Sequence, residues 1–149
     1  MTSESAPAGA FWVPEVLERP DGDVPFERFV HGLSEAKATA LKAAIDRVLT
    51  VRGIALVRTE WLKPLGGGLH EFRLRHDAHE IMHMFGRGPS APKRSAGGIV
   101  LRLFVHFHGQ RRVLLLNGYD KAADPSKRRQ RMETAFARRL LAEFKAGVH

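Results

Sequence analysis

Residues 99–117 read IVLRLFVHFHGQRRVLLLN, and this stretch decides the fold. Seven of its first ten residues are isoleucine, valine, leucine or phenylalanine, which favours a strand, and the following Gly109-Gln110 is typical of a tight turn. Residues 111–117 are apolar on both faces, which predicts a central strand. Alternation along the first strand places these side chains on one face: Val100, Arg102, Phe104, His106 and His108.

Two further strands are predicted upstream. Residues 69–76, LHEFRLRH, alternate so that Arg73 and Arg75 share a face with Glu71. Residues 11–19, FWVPEVLER, resemble a strand but contain Pro14, which cannot donate to a ladder and so predicts an edge strand.

Helices account for much of the remaining chain. Pro25 opens a short helix, and Ser34 caps a longer one that runs to about Arg52 and ends at Gly53. A last helix, opened by an Asp124-Pro125 cap, runs to about residue 145. Its predicted apolar stripe consists of Met132, Phe136, Leu140 and Phe144. The order predicts an α+β fold, in which a helical hairpin packs on a small, twisted, mainly antiparallel sheet with a C-terminal helix.

The chain of 149 residues predicts one domain over residues 11–149, after a disordered tail at 1–10. Because the sequence contains no cysteine, it has no disulfide, thiolate metal site or cysteine nucleophile. The polar N-terminus does not resemble a signal peptide, and no apolar run reaches membrane-spanning length. These features predict a cytoplasmic protein without a membrane partner.

Charge is distributed unevenly. Residues 1–92 carry 11 Lys/Arg and 12 Asp/Glu, a net charge of −1, whereas residues 93–149 carry 13 and 4, a net charge of +9. A basic second part joined to a neutral first part favours a polyanionic partner, most simply nucleic acid, over a merely solvated surface.

Residues 79–83, HEIMH, match the HExxH pattern of zinc hydrolases, in which His79 and His83 bind zinc and Glu80 acts as general base. A third histidine at the spacing that follows such motifs falls on Pro89, and Gly86 cuts the helix short. The same residues fit a capping box between Asp77 and Glu80. We therefore predict a short capped helix and reject His79, Glu80 and His83 as a metal site.

Four stretches carry a family resemblance: KPLGGGLHEFRLR (63–75), VLRLFVHFHG (100–109), VLLLNGYDK (113–121), and Asp124-Pro125 followed by a basic helix. Together with the element order over about residues 11–145, they resemble the RelE/ParE superfamily of type II toxins, closest to its HigB-like, phage-derived branch. The resemblance implies ribosome-dependent cleavage of mRNA without metal or other cofactor. It also implies a cognate helix-turn-helix antitoxin as partner.

In such toxins the RNA 2′-OH attacks the adjacent phosphate, and basic side chains orient that phosphate and stabilise its developing charge. Carried over by position, the resemblance implies catalytic roles for Arg73, Arg102 and Lys121. Arg75 and Tyr119 are implied to contact RNA, Tyr119 by stacking on a base.

Other residues are candidate RNA contacts from their position and chemistry. His106 and His108 share the Arg102 face and titrate near neutral pH, although exposed sheet histidines without a role are also common. Lys127 and Arg131 lie on the basic flank of the last helix, which either contacts RNA phosphates or is simply a solvated face.

The sequence departs from the family pattern in three places. Residues 76–98 form an insertion that contains HEIMH, Leu101 stands where many relatives have tyrosine, and Asp120 brings a negative charge beside the expected phosphate site. Three functions therefore stay open: an mRNA endonuclease toxin, a non-catalytic nucleic-acid-binding or partner-binding relative of the same fold, and a zinc hydrolase.

Overall fold

A computed structural model describes residues 11–85 and 98–147 of the chain. Five strands form one sheet in the order β1-β5-β4-β3-β2. The strands are β1 (Val13–Val16), β2 (Leu62–Gly66), β3 (Leu69–Leu74), β4 (Leu101–His108) and β5 (Arg112–Asp120). The helices are α1 (Pro25–His31), α2 (Glu35–Ala44), α3 (Thr50–Arg52), α4 (Ala78–Phe85) and α5 (Lys127–Ala146). Helices α1 to α4 cover one face of the sheet and α5 covers part of the other, so the predicted α+β architecture is confirmed.

The predicted β4-β5 hairpin forms the centre of the sheet. Its turn lies where predicted but spans residues 109–111, one residue longer than expected, with positive φ angles at Gly109 (56°) and Arg111 (59°). Strand β5 lies between β1 and β4, as its apolar sequence predicted, and continues to Asp120, three residues further than expected. Because paired residues of adjacent strands share a face, the hairpin aligns Arg102 with Tyr119.

The sheet is mixed rather than purely antiparallel. Strand β1, which contains Pro14, is an edge strand as predicted, but it pairs in parallel with β5. No strand was predicted for residues 62–66. They instead form the opposite edge strand, antiparallel to β3, and the positive φ angles of Gly66 to Gly68 make the turn between them. The pairings β2-β3, β3-β4 and β4-β5 are antiparallel, so the sheet is mainly antiparallel as expected.

The helical hairpin forms largely as predicted. Ser34 caps α2, accepting a hydrogen bond from the backbone N–H of Lys37 at 3.3 Å. The expected single helix is interrupted by a π-helical turn, Ile45–Leu49, before α3. Gly53 ends it with a φ of 53°, and the Trp12 ring packs so closely there that a Cβ has no room.

The last helix begins later than predicted. Its cap is Ser126, which accepts from the backbone N–H of Arg129 at 3.1 Å, whereas Asp124 accepts from the N–H of Ser126. Met132 was predicted in the apolar stripe, but its side chain is 55% exposed, because the helix buries a face centred on Ala137, Leu140 and Leu141. Within residues 11–85 and 98–147, no helix is long and apolar enough to cross a membrane.

Candidate functional site: a basic cluster on the sheet

Four basic side chains and one acid meet on the α5 side of the sheet, beyond the end that α5 covers. We call them the basic cluster: Glu71, Arg73, Arg75, Arg102 and Lys121. Cross-strand pairing places Arg73 opposite Arg102. The backbone N–H of Lys121 donates to the carbonyl of Val100 at 2.8 Å, which holds the turn after β5 against the start of β4. The structure therefore brings together the predicted catalytic residues Arg73, Arg102 and Lys121, with Arg75 beside them.

Glu71 is the member of the cluster to which the sequence analysis gave no role. Its side chain is 1% exposed, and its Oε1 accepts a hydrogen bond from Arg73 Nε at 3.0 Å. The same oxygen lies 4.0 Å from Arg102 Nε, while Oε2 has no partner among the described residues. The sequence could have indicated a role for Glu71, because it is an acid on the same face of the strand as the arginines.

Two charges of the cluster, those of Glu71 and Arg102, lie out of water. Arg102 is 3% exposed; burial lowers the pKa of its guanidinium, while the carboxylate of Glu71 opposes that shift. Arginine nevertheless stays protonated in proteins. Burial, followed by repulsion from Arg102, lowers the pKa of Lys121. Four cationic groups around one carboxylate leave an excess of positive charge that attracts an anion.

Asp120 does not oppose this field as its position suggested. One carboxylate oxygen accepts a hydrogen bond from Lys37 Nζ at 2.5 Å. The other accepts from the backbone N–H groups of Ala122 and Ala123 at 3.1 and 3.3 Å. The charge of Asp120 is thus compensated by the helical hairpin, and its carboxylate fixes the turn that carries Lys121.

The expected role of Tyr119 is wrong for this structure. Its ring is 1% exposed, lies 6.4 Å from Phe104 in a stacked arrangement, and has Arg129 over it at 5.5 Å. A buried ring cannot serve as a stacking platform for a base. The hydroxyl has no partner among the described residues, and burial raises its pKa.

The two predicted histidines lie on the expected face but at its other end. His106 is four residues from Arg102 along β4, which corresponds to about 13 Å. Its Nδ1 lies 2.8 Å from the carbonyl oxygen of Gly68, and burial lowers its pKa. Nε2 of His108 lies 2.8 Å from Glu15 Oε1. The structure therefore does not bring these histidines to the cluster.

Lys127 and Arg131 are exposed on α5. Both glutamates of this helix turn inward: Glu133 bonds Arg129 at 2.8 Å, and Glu143 bonds Arg19 at 2.8 Å. The outer side of α5 is consequently basic, which suits a polyanion without assigning a role to either residue.

The HEIMH stretch forms α4, and the predicted capping box is confirmed. The backbone N–H of Asp77 donates to Glu80 Oε1 at 3.0 Å, and the N–H of Glu80 donates to Asp77 Oδ1 at 2.8 Å. Among the described residues, no three His, Asp or Glu side chains are arranged to hold a metal ion. Pro89 and the other residues of 86–97 lie outside the described residues.

Substitutions at Glu80 separate the capping role from a catalytic one. Because glutamine also completes a capping box, we expect Glu80→Gln to leave the melting temperature unchanged, while Glu80→Ala costs about 1 kcal/mol. For a domain of this size that cost lowers the melting temperature by about 2–4 °C. Thermal unfolding of both variants checks this. Equal destabilisation by glutamine and alanine would contradict the capping role.

Comparison of the chain with protein-family models, with curated protein sequences and with solved structures found no match.

Proposed function

We propose that this protein is the toxin of a type II toxin-antitoxin system, a metal-independent endoribonuclease of the RelE/ParE kind that cleaves mRNA on the ribosome. The single observation that carries the proposal is the convergence of Arg73, Arg75, Arg102 and Lys121 around Glu71 on an open part of the sheet. The basic second part of the chain and the resemblance in element order support it. A cytoplasmic location and a helix-turn-helix antitoxin belong to the same proposal.

The chemistry follows from the cluster. The RNA 2′-oxygen forms a bond to the adjacent phosphorus while the bond to the 5′-oxygen of the next nucleotide breaks. Arg73 and Lys121, which are partly exposed, contact the phosphate. The buried Arg102 lies behind them and stabilises the negative charge that develops on the phosphate. The lowered pKa of Lys121 suits it to give a proton to the leaving oxygen.

Glu71 holds the arginines in place. Its Oε1 fixes Arg73, and its Oε2 is buried out of reach of the RNA, so the proton of the 2′-OH passes to solvent. The negative charge of Glu71 also offsets part of the repulsion between Arg73 and Arg102.

A non-catalytic nucleic-acid-binding protein of the same fold is the second candidate. The observation that favours it is the burial of Arg102 and Glu71 together with the distance of His106 and His108 from the cluster. This candidate predicts salt-dependent RNA binding without cleavage. A zinc hydrolase is the weakest candidate, because Glu80 completes a capping box. Stoichiometric zinc in untagged protein would revive it.

Growth measurements test the proposed toxin. Induced expression in a bacterium without the antitoxin is expected to arrest growth, and Arg73→Ala combined with Lys121→Ala is expected to relieve the arrest. Arg47→Ala combined with Arg58→Ala is the matched control, since both side chains are exposed and the same two charges are removed. Normal growth of cells that accumulate the folded wild-type protein would refute the proposal.

A further inference from the structure

A pocket of about 290 Å³ opens where α1 and α5 face each other across the end of β5. Strand β1 pairs with β5 only as far as Leu115, so the last residues of β5 have no neighbouring strand on that side among the described residues. We call this the α1-α5 pocket; the lining residues that matter here are Phe29, Gly32, Asn117, Tyr119, Glu133 and Phe136.

A β-bulge turns Asn117 toward α5. The β4-β5 register shifts so that Phe104 faces two residues of β5, Leu116 and Asn117. Asn117 Nδ2 donates to the backbone oxygen and to Oε1 of Glu133, both at 3.0 Å. Asn117 is only 3% exposed, and its Oδ1 has no partner among the described residues. The pocket is thus lined by a fixed, buried acceptor that a donor on a ligand would satisfy.

Tyr119 connects the pocket to the basic cluster. It lines the pocket, pairs across the sheet with Arg102, and has Arg129 over its ring at 5.5 Å. Its hydroxyl also has no partner among the described residues. A ligand that extends past Tyr119 therefore reaches from the α1-α5 pocket to the cations.

The pocket walls suit a flat group. Phe29 packs against Gly118 so closely that a Cβ has no room there, and Phe136 lies on the α5 side. The carboxylate of Glu133 is already occupied by Asn117 and Arg129. Two phenylalanine side chains, a fixed acceptor and a hydroxyl in one pocket suit the apolar ring and the polar edge of a nucleobase.

We propose that the α1-α5 pocket binds a nucleobase that carries an exocyclic amino group, from an RNA strand whose phosphate lies on the basic cluster. The amino group donates to Asn117 Oδ1, so uracil, which lacks such a group, is disfavoured. The inference rests on the proposed function in taking RNA as the ligand, but binding tests it without cleavage.

The test uses short oligoribonucleotides that carry a 2′-O-methyl group throughout, which prevents cleavage. Each position in turn carries adenine or purine, which differ only by the amino group. At one position we expect adenine to bind about tenfold more tightly. Gly32→Leu is expected to fill the pocket and abolish this difference. Its backbone φ of −84°, with the nearest atoms to an added Cβ at 3.6 and 3.8 Å, accepts a side chain, and Gly32→Ala is the matched control.

The outcomes separate this inference from the proposed function. Growth arrest and RNA cleavage with equal binding of adenine and purine at every position would overturn the pocket and leave the toxin intact. Preserved discrimination in folded Gly32→Leu would also overturn it. If that variant fails to fold, NMR on the wild type decides: the oligonucleotide must shift the side-chain amide signals of Asn117, and unchanged signals refute the inference. Absence of any oligonucleotide binding would also overturn the pocket, while the growth measurement still decides the proposed toxin.

Discussion

Replacing Arg73 and Lys121 together by alanine is expected to lower the rate of mRNA cleavage on ribosomes by about 1,000-fold or more. Loss of a single group aimed at developing negative charge typically costs 10²–10³ in rate, and this variant loses two. The loss should appear in the single-turnover rate at saturating ribosome concentration, because these cations act most strongly on the transition state.

Two features of the structure make this variant informative. Arg73 is 24% exposed, and Lys121 makes its fold-defining contact through the backbone, so neither substitution removes a core side chain. Arg47→Ala combined with Arg58→Ala removes equal charge elsewhere and is expected to retain most activity. An equal fall in the cleavage rate of both double variants would indicate that net charge, and not the basic cluster, governs the reaction.

Substitution of Arg102 by leucine is expected to destabilise the protein by about 3 kcal/mol, because the buried carboxylate of Glu71 loses one of its two cationic neighbours. Glu71, at 1% exposure, would keep only its contact with Arg73. For a chain of this length the melting temperature should fall by more than about 6 °C.

The double variant Glu71→Leu with Arg102→Leu tests whether loss of the Glu71–Arg102 charge interaction causes this destabilisation. Removing both charges is expected to recover most of the lost stability, since apolar replacement of a buried ion pair is often neutral. Arg75→Leu, at an exposed position of the same cluster, is the matched control and should change the free energy of unfolding by less than about 0.5 kcal/mol. A double variant as unstable as Arg102→Leu alone would show that the pair is not responsible.

Substitutions of Arg102 and Glu71 are expected to act differently from substitutions of Arg73 and Lys121. The first two are buried and combine a structural role with an electrostatic one, so their substitution changes stability and activity together. The second two are partly exposed, so their substitution separates catalysis from folding. Activity measurements on Arg102 variants therefore need a measured melting temperature beside them.

Much of the fold followed from local pattern. Alternation with a period of two assigned Arg73, Arg102 and His106 to a face, and the Gly109 turn fixed the hairpin that sets their register. The capping box at Asp77 was also readable, because its two hydrogen bonds lie within three residues. Each of these features depends on residues that are neighbours in sequence.

Errors arose where packing against distant segments decided the outcome. Residues 62–66 became a strand because β3 offered an unpaired edge. Met132 is exposed because the position of α5 on the sheet, and not the helical period alone, selects the buried face. Tyr119 is buried because Phe104 and α5 close over it, which no local pattern of GYDK indicates.

The sequence by itself determined four of the five strands, the central hairpin, the helix caps at Ser34 and Asp77, and the face on which the basic residues lie, because backbone periodicity and turn chemistry act over a few residues. Only the tertiary structure decided that Glu71 holds the arginines, that Lys37 neutralises Asp120, and that His108 pairs with Glu15 at the far end. The last two contacts join residues 83 and 93 positions apart, and the shielding of Glu71 requires the packed sheet. Such ion pairs and such burial depend on how the helices pack on the sheet, and local sequence does not specify that packing.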